Sequence, residues 1–250
     1  MIYEADMTGL EPSTQYKYRV GGYDSSNQTT RYSEEFQFKS APVPHSTQKT
    51  TVGILADQGT WMLLGFMVTD KMNSMKTELG LDFTMIVGDI SYAGLSSEVP
   101  ALNISKEDEF ERVWDLYGIQ SQPLSSGIPF MVGNGNHERF YDWAGYKNRY
   151  KMPYMKSGGS PDGFWYSYDY GNAHWVSISS EHSLEDGSEQ KSWLQNDLKK
   201  AYGNRAVVPW IIVSIHKPLY CSVEGTPQGY RELLEPLLLE FDVDLVISGD

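Results

Sequence analysis

Residues 83–89 read FTMIVGD, an apolar run that closes on Gly88 and Asp89. A strand without polar alternation is one buried on both faces, which requires layers packed above and below it. Four further stretches have the same character: TVGILAD (51–57), PFMVGNG (129–135), PWIIVSIH (209–216) and VDLVISGD (243–250). Helical patterns lie among them over 61–78, 106–118, 188–203 and 230–241. The third has Ser188 as N-cap, Lys199 and Lys200 in its last turn and Gly203 as its stop. The fourth is expected to kink or split at Pro236. Alternating strands and helices predict an α/β layered domain over 51–250. Within it, FWYSYDYG and HWVSISS, across 164–180, predict an antiparallel hairpin.

Upstream of SAPVPHSTQ (40–48) the period changes. TQYKYRV and EEFQFKS alternate polar and apolar residues, as half-buried antiparallel strands do, with Gly21, Gly22 and DSSNQTT as the turn between them. Only about three strands fit here, against about seven in a free-standing sandwich. Residues 1–42 therefore read as the end of an all-β domain whose beginning is absent, and 43–50, introduced by prolines at 42 and 44, as a linker.

At 250 residues the chain can bury one sizeable core and carry a small second unit. Acidic residues outnumber basic ones 33 to 20, for a net charge of −13. That argues against a partner held by a nucleic-acid backbone. A small phosphate is still compatible if metal ions supply the positive charge. The start MIYEADMTG has no basic or apolar leader, so no signal peptide is expected, and no apolar run approaches the roughly 20 residues of a membrane helix. A single cysteine, Cys221, precludes an internal disulfide. The sequons at Asn27 and Asn103 are candidate glycosylation sites that matter only in a secreted protein.

The polar residues of interest each follow a strand: Asp57, Asp89 with Tyr92 close behind, Asn136 with His137, and His216. Strand carboxyl ends open onto the ligand crevice of an α/β sheet, so these side chains can converge. Singly, each has an ordinary reading. The aspartates can cap turns, His216 can be a hydrogen-bonded core histidine, Tyr92 can pack under a loop and Asn136 can sit in a tight turn. The ordered set points instead to a metal centre of oxygen and imidazole donors, suited to Fe, Mn or Zn. A carboxylate that bridges two ions can help activate water and clamp a phosphate. His45 in the linker, His174, His182 beside Glu181, and the lysine pair carry no functional expectation.

These residues resemble the purple acid phosphatases of the metallophosphoesterase superfamily. The family order D-x-G, G-D-x-x-Y, G-N-H-[DE], V-x-x-H appears as Asp57-Gln58-Gly59, Gly88-Asp89-Ile90-Ser91-Tyr92, Gly135-Asn136-His137-Glu138 and Val213-Ser214-Ile215-His216. Many other members of the superfamily have D-x-H first; with Gly59 in that place, the missing ligand is implied to be Tyr92, as phenolate. The resemblance implies a binuclear centre. Asp57, Asp89 and Tyr92 would hold Fe(III), and Asp89, Asn136 and His216 a second Fe, Zn or Mn. A metal-bound hydroxide would attack a phosphate monoester while His137 contacts the phosphate or protonates the leaving alcohol.

The implied fold is a metallophosphoesterase sandwich of mixed β-sheets flanked by helices, α/β (α+β) in class, preceded by the remnant of a fibronectin-III-like domain. Small phosphate-ester substrates, an extracellular or vacuolar location and a permitted homodimer go with it; nucleic acid and membrane do not. The last family motif, G-H-x-H, reads Gly249-Asp250 here, so Asp250 is a candidate ligand in a histidine's place and the chain reads as incomplete at both ends. The alternative is a non-catalytic or impaired fragment that keeps the fold and binds phosphate or a partner. A phosphodiesterase or nuclease is disfavoured by Gly59, Tyr92 and the acidic charge.

Overall fold

A computed structural model describes residues 2–60, 63–95, 106–222 and 229–250. Four short strands come first: β1 (Gln15–Tyr18), β2 (Gly21–Asp24), β3 (Thr29–Tyr32) and β4 (Phe36–Lys39). β1 pairs with β4 and β2 with β3, both antiparallel. Tyr16 stacks on its cross-strand partner Phe38 and Tyr18 lies against Phe36, with ring centroids 5.8 and 5.4 Å apart. Cross-strand aromatic pairs of this kind stabilise such ribbons. Two expectations are corrected. There are four strands rather than three, and Gly21 and Gly22 lie inside β2, leaving the turn to residues 25–28 within the expected DSSNQTT stretch. The reason is Asp24, whose carboxylate accepts from the Ser26 N–H (3.0 Å) and from Asn27 Nδ2 (2.9 Å), organising that turn locally.

The rest of the chain builds two facing sheets. β5 (Val52–Leu55), α1 (Leu63–Met75), β6 (Phe83–Val87), α2 (Lys106–Ser125) and β7 (Phe130–Gly133) give a parallel sheet in the order β5-β6-β7. Then follow α3 (Phe140–Arg149), α4 (Tyr154–Ser157), β8 (Tyr166–Tyr170), β9 (Ala173–Ile178), α5 (Glu189–Gly203), β10 (Trp210–Ile215), α6 (Gly229–Glu240) and β11 (Leu245–Ser248). The second sheet runs β11-β10-β9-β8, with the β8–β9 hairpin antiparallel and the other pairs parallel.

Every residue of β6 is buried, as its unbroken apolar character requires. Phe83, Met85 and Val87 point at Tyr170, Ala173 and Trp175 of the second sheet, the Phe83 and Trp175 rings meeting edge-on at 5.1 Å. Ile86 faces the other way, into Phe110, Val113, Trp114 and Tyr117 of α2. On the far side of the second sheet, Ile211, Val213 and Ile215 pack against Leu194, Leu198, Leu234 and Leu237 of α5 and α6. The order is helices, sheet, sheet, helices: a mixed α/β sandwich.

The helices differ from expectation where packing outweighs local signals. α1 ends at Met75 and continues as a π-helical turn over Lys76–Gly80, closed by Gly80 at φ 66°. α2 runs seven residues beyond Gly118, carried by buried Gln120, Ser121 and Leu124. α6 passes Pro236 unbroken, because Leu234, Leu237 and Leu238 bury one continuous face across it. α5 begins as expected, Ser188 accepting from the Lys191 N–H.

Candidate metal centre

Asp57, Asp89, Asn136, His216 and Asp250 lie just past the carboxyl ends of β5, β6, β7, β10 and β11. The loops that carry the first two are bonded to each other. Asp57, Gln58 and Gly59 donate their N–H groups to the carbonyls of Gly88, Asp89 and Ile90, at 3.2, 3.2 and 3.0 Å. Asp57, Asp89 and Tyr92 all adopt left-handed backbone, φ 54°, 50° and 57°. Non-glycine residues hold such conformations only where the surroundings impose them, and they concentrate at functional sites. Gly135 is required sterically: a Cβ there would lie 2.2 Å from Asp89 Oδ1.

Donor atoms of Asp57, Asp89 and His216 all fall within 4.8 Å of one another. His216 Nδ1 sits 2.8 Å from the Val87 carbonyl oxygen, to which it donates, leaving Nε2 to face the carboxylates. Nε2 lies 3.3 Å from Asp89 Oδ1 and 3.6 Å from Asp250 Oδ1. The Tyr92 hydroxyl donates to Asp57 Oδ1 at 3.1 Å, and its ring lies 4.5 Å from that of His137. His137 donates its backbone N–H to Asp89 Oδ1 at 3.0 Å and holds Nε2 3.8 Å from Asp89 Oδ2. Exposed Asp250 reaches the group by donating its N–H to Asp57 Oδ2 at 3.0 Å. The structure thus brings together Asp57, Asp89, Tyr92, His137, His216 and Asp250, with Asn136 opening the 3₁₀ turn that bears His137. Asn27 is exposed in the β2–β3 turn, and Asn103 lies outside the described residues.

Whether these residues suit a cation can be tested on their hydrogen bonds. Asn136 Oδ1, His137 Nδ1 and His216 Nε2 are buried and make none. Each such atom costs about 1–3 kcal/mol, and the one located against the carboxylates of Asp57 and Asp89, His216 Nε2, suits a positively charged occupant. The titration behaviour agrees. Burial opposes the charge on Asp89, but His216 and His137 outweigh it and hold its carboxyl below the usual range. Burial likewise opposes charge on His216, and Asp89 outweighs it to give a pKa of about 9. Burial, then the charges of Asp89 and Asp57, push the Tyr92 phenol far up. A phenolate there requires a cation beside it.

One residue had no role in the sequence reading. Glu138, 1% exposed, accepts from the N–H groups of Asp89 (2.9 Å), Ile90 (2.8 Å) and Gly135 (2.8 Å). It fastens the loop after β6 to the loop after β7. Burial and the Asp89 charge raise its pKa to about 8. The signal was an acid two residues after Asn136, in a turn whose free N–H groups need acceptors.

Residues 64–250 match the family model described as calcineurin-like phosphoesterase. The chain belongs to that family. Within it, the similarity is to purple acid phosphatases. Purple acid phosphatase 23 of Arabidopsis thaliana is 32% identical, over 100% of this chain and 56% of its own length. Acid phosphatase type 7 of Homo sapiens is 30% identical, over 98% of the chain and 54% of its own length. A solved purple acid phosphatase from yellow lupin seeds superposes with a TM-score of 0.79 at 25% identity, covering 96% of this chain and 44% of that one. The chain spans about half the length of the curated relatives it matches. Among the described residues, no helix is long and apolar enough to cross a membrane.

Proposed function

We propose that this chain carries the metal-binding half of a purple acid phosphatase and hydrolyses small phosphate monoesters. The observation that carries the reading is the convergence of Asp57, Asp89 and His216 donor atoms within 4.8 Å, with Tyr92 hydrogen-bonded to Asp57. Asp57, Asp89 and Tyr92 would hold Fe(III), and Asp89, Asn136 and His216 a second Fe, Zn or Mn. Such ions, when bound, supply an activated nucleophile and neutralise phosphoryl oxygens. The chain's own residues do the rest. Asp89, pinned by the His137 N–H and by Glu138, sets the spacing of the two halves. His137, its ring against Tyr92, contacts the phosphate and delivers a proton to the leaving alcohol from its imidazole. Residues 1–42 are the end of a fibronectin-III-like domain, 43–50 the linker and 51–250 the catalytic domain. Secretion or vacuolar delivery, glycosylation at Asn27 and Asn103, and a homodimer belong to the same reading.

A second reading is a phosphate- or partner-binding protein without turnover. What favours it is the His216 side of the site, where Asp250 is exposed and its carboxylate stands 3.6 Å from Nε2. Metal analysis and visible absorption, with hydrolysis of a monoester and a diester, separate the two. Two ions per chain, a violet band lost in Tyr92→Phe and preferential monoester turnover are expected. A colourless protein that binds phosphate without turnover establishes the second reading.

A further inference from the structure

A buried relay joins the loop that follows β9 to the segment that leads into the Asn136–His137 turn. Ser179, fully buried, has three partners around its hydroxyl. Asn134 Nδ2 lies at 2.9 Å, the Glu181 N–H at 3.1 Å and His182 Nδ1 at 2.8 Å. A hydroxyl offers one proton and two lone pairs. Asn134 and Glu181 are donors and take both lone pairs, so the Ser179 proton goes to His182 Nδ1. That fixes the neutral imidazole with its hydrogen on Nε2. The ring is enclosed by aromatics, Phe164 at 4.3 Å, Trp143 at 5.4 Å and Trp165 at 5.7 Å. Burial lowers its pKa, in keeping with a neutral ring.

Both ends of the relay are tied down. Gln190 of α5 accepts from the Ser179 N–H at 2.6 Å and donates to the Ser179 carbonyl at 3.0 Å. Asn134, 1% exposed, stands between β7 and the Asn136–His137 turn, and its Oδ1 has no hydrogen bond. The bond to Ser179 is therefore what orients its buried amide. Trp143, in the cage around His182, itself has left-handed backbone at φ 62°, a strained state for a bulky residue.

We infer that His182 and Ser179 are positioning residues: through Asn134 they fix the loop that presents Asn136 and His137 to Asp89. The inference rests on the proposed metal-centre reading. Neither residue touches the centre; both act through the backbone two residues before Asn136. Partners bonded directly to a metal ligand typically change metal affinity by about 10–100-fold when removed, and this relay, one step further out, belongs at the lower end.

The test uses the whole chain stripped of metal and titrated with Zn²⁺ and Mn²⁺. It is followed by melting temperature and by turnover of p-nitrophenyl phosphate. His182→Phe keeps an aromatic in the cage but no acceptor, Ser179→Ala removes the relay, and His182→Asn restores an oxygen near the place of Nδ1. Expected are a loss of about 10-fold in affinity in the first two, a lowered kcat with KM little changed, and partial recovery in His182→Asn. Affinity and kcat within about twofold of the unmodified chain in both overturn the relay. So does a deficit in His182→Phe that simply follows its melting temperature and is not relieved in His182→Asn. Long-range ¹H–¹⁵N spectra of the metal-free chain give an independent check, since a proton on His182 Nδ1 also overturns it. An unmodified chain that binds neither metal and turns over no ester fails differently, because it removes the metal centre itself.

Discussion

His174 and His216 are built from the same parts and do opposite things. Both stand at the second sheet beside aspartates, His174 partly buried in β9 and His216 buried just past β10, and in both the carboxylates overcome burial to raise the pKa to about 9. His174 is saturated: Nδ1 lies 2.7 Å from Asp169 and Nε2 2.9 Å from Asp197, which also accepts from Ser167 at 2.8 Å. His216 spends Nδ1 on the Val87 carbonyl and keeps Nε2 without a hydrogen bond, facing Asp89. A histidine between acids is thus a saturated strut or a candidate ligand according to whether one ring nitrogen is left over. Residue types alone do not make the distinction; the second partner does.

Substitution breaks the comparison most sharply. In His216→Ala, affinity for the second metal and phosphatase turnover should fall by more than about 100-fold, above the usual loss from an outer partner, and the metal-free chain should also melt lower because buried Asp89 loses its counter-charge. Calorimetric metal titration and a monoester assay read this. His174→Ala should touch stability alone, costing about 3 kcal/mol by leaving buried Asp197 without a counter-charge, with metal affinity unchanged. Equal effects of the two on metal binding would erase the distinction. Glu138→Ala comes next. It strands the N–H groups of Asp89, Ile90 and Gly135, each worth about 1 kcal/mol or more, so denaturant unfolding should show about 3 kcal/mol lost. Glu138→Gln, which keeps one oxygen for the Asp89 and Gly135 N–H groups but turns an NH2 donor toward that of Ile90, should recover only part of that.

The same contrast explains what could be read from the chain. Strand β6 was legible because five consecutive residues buried on both faces leave no apolar–polar alternation to misread. The convergence of Asp57, Asp89 and His216 was legible because each follows such a strand. Features set by a distant partner were not. Gly21 and Gly22 look like a turn until Asp24 claims the one after them. Gly118 looks like a helix stop until buried Gln120 donates to the Gly59 carbonyl at 3.2 Å and Leu124 packs beyond it. Pro236 looks like a break until the leucines around it bury one face. Glu138 and Ser179 escaped for the same reason. Their value lies in N–H and hydroxyl partners tens of residues away, which no local period reports.

Titration gives the smallest effect and the finest version of the comparison. His174 moves from an ordinary 6.5 to about 9, because Asp169 and Asp197 outweigh the burial that opposes its charge. Below 6.5 the folded and unfolded chains both hold this proton, and the ion pairs contribute in full. Between 6.5 and 9 only the folded chain holds it, so stability falls as pH rises, by up to about 1.4 kcal/mol per unit, and the contribution is gone above 9. His216 titrates over the same range in the metal-free chain, so a single pH curve mixes the two. Subtracting the curve of His174→Gln from that of the unmodified metal-free chain isolates His174. The difference should be greatest near pH 6 and vanish above about 9. Added Zn²⁺ should suppress the His216 contribution, because a ligating imidazole is neutral, and leave the His174 difference in place. Parallel curves at all pH values would mean that His174 is not a charged strut, and the contrast with His216 would lose its electrostatic half.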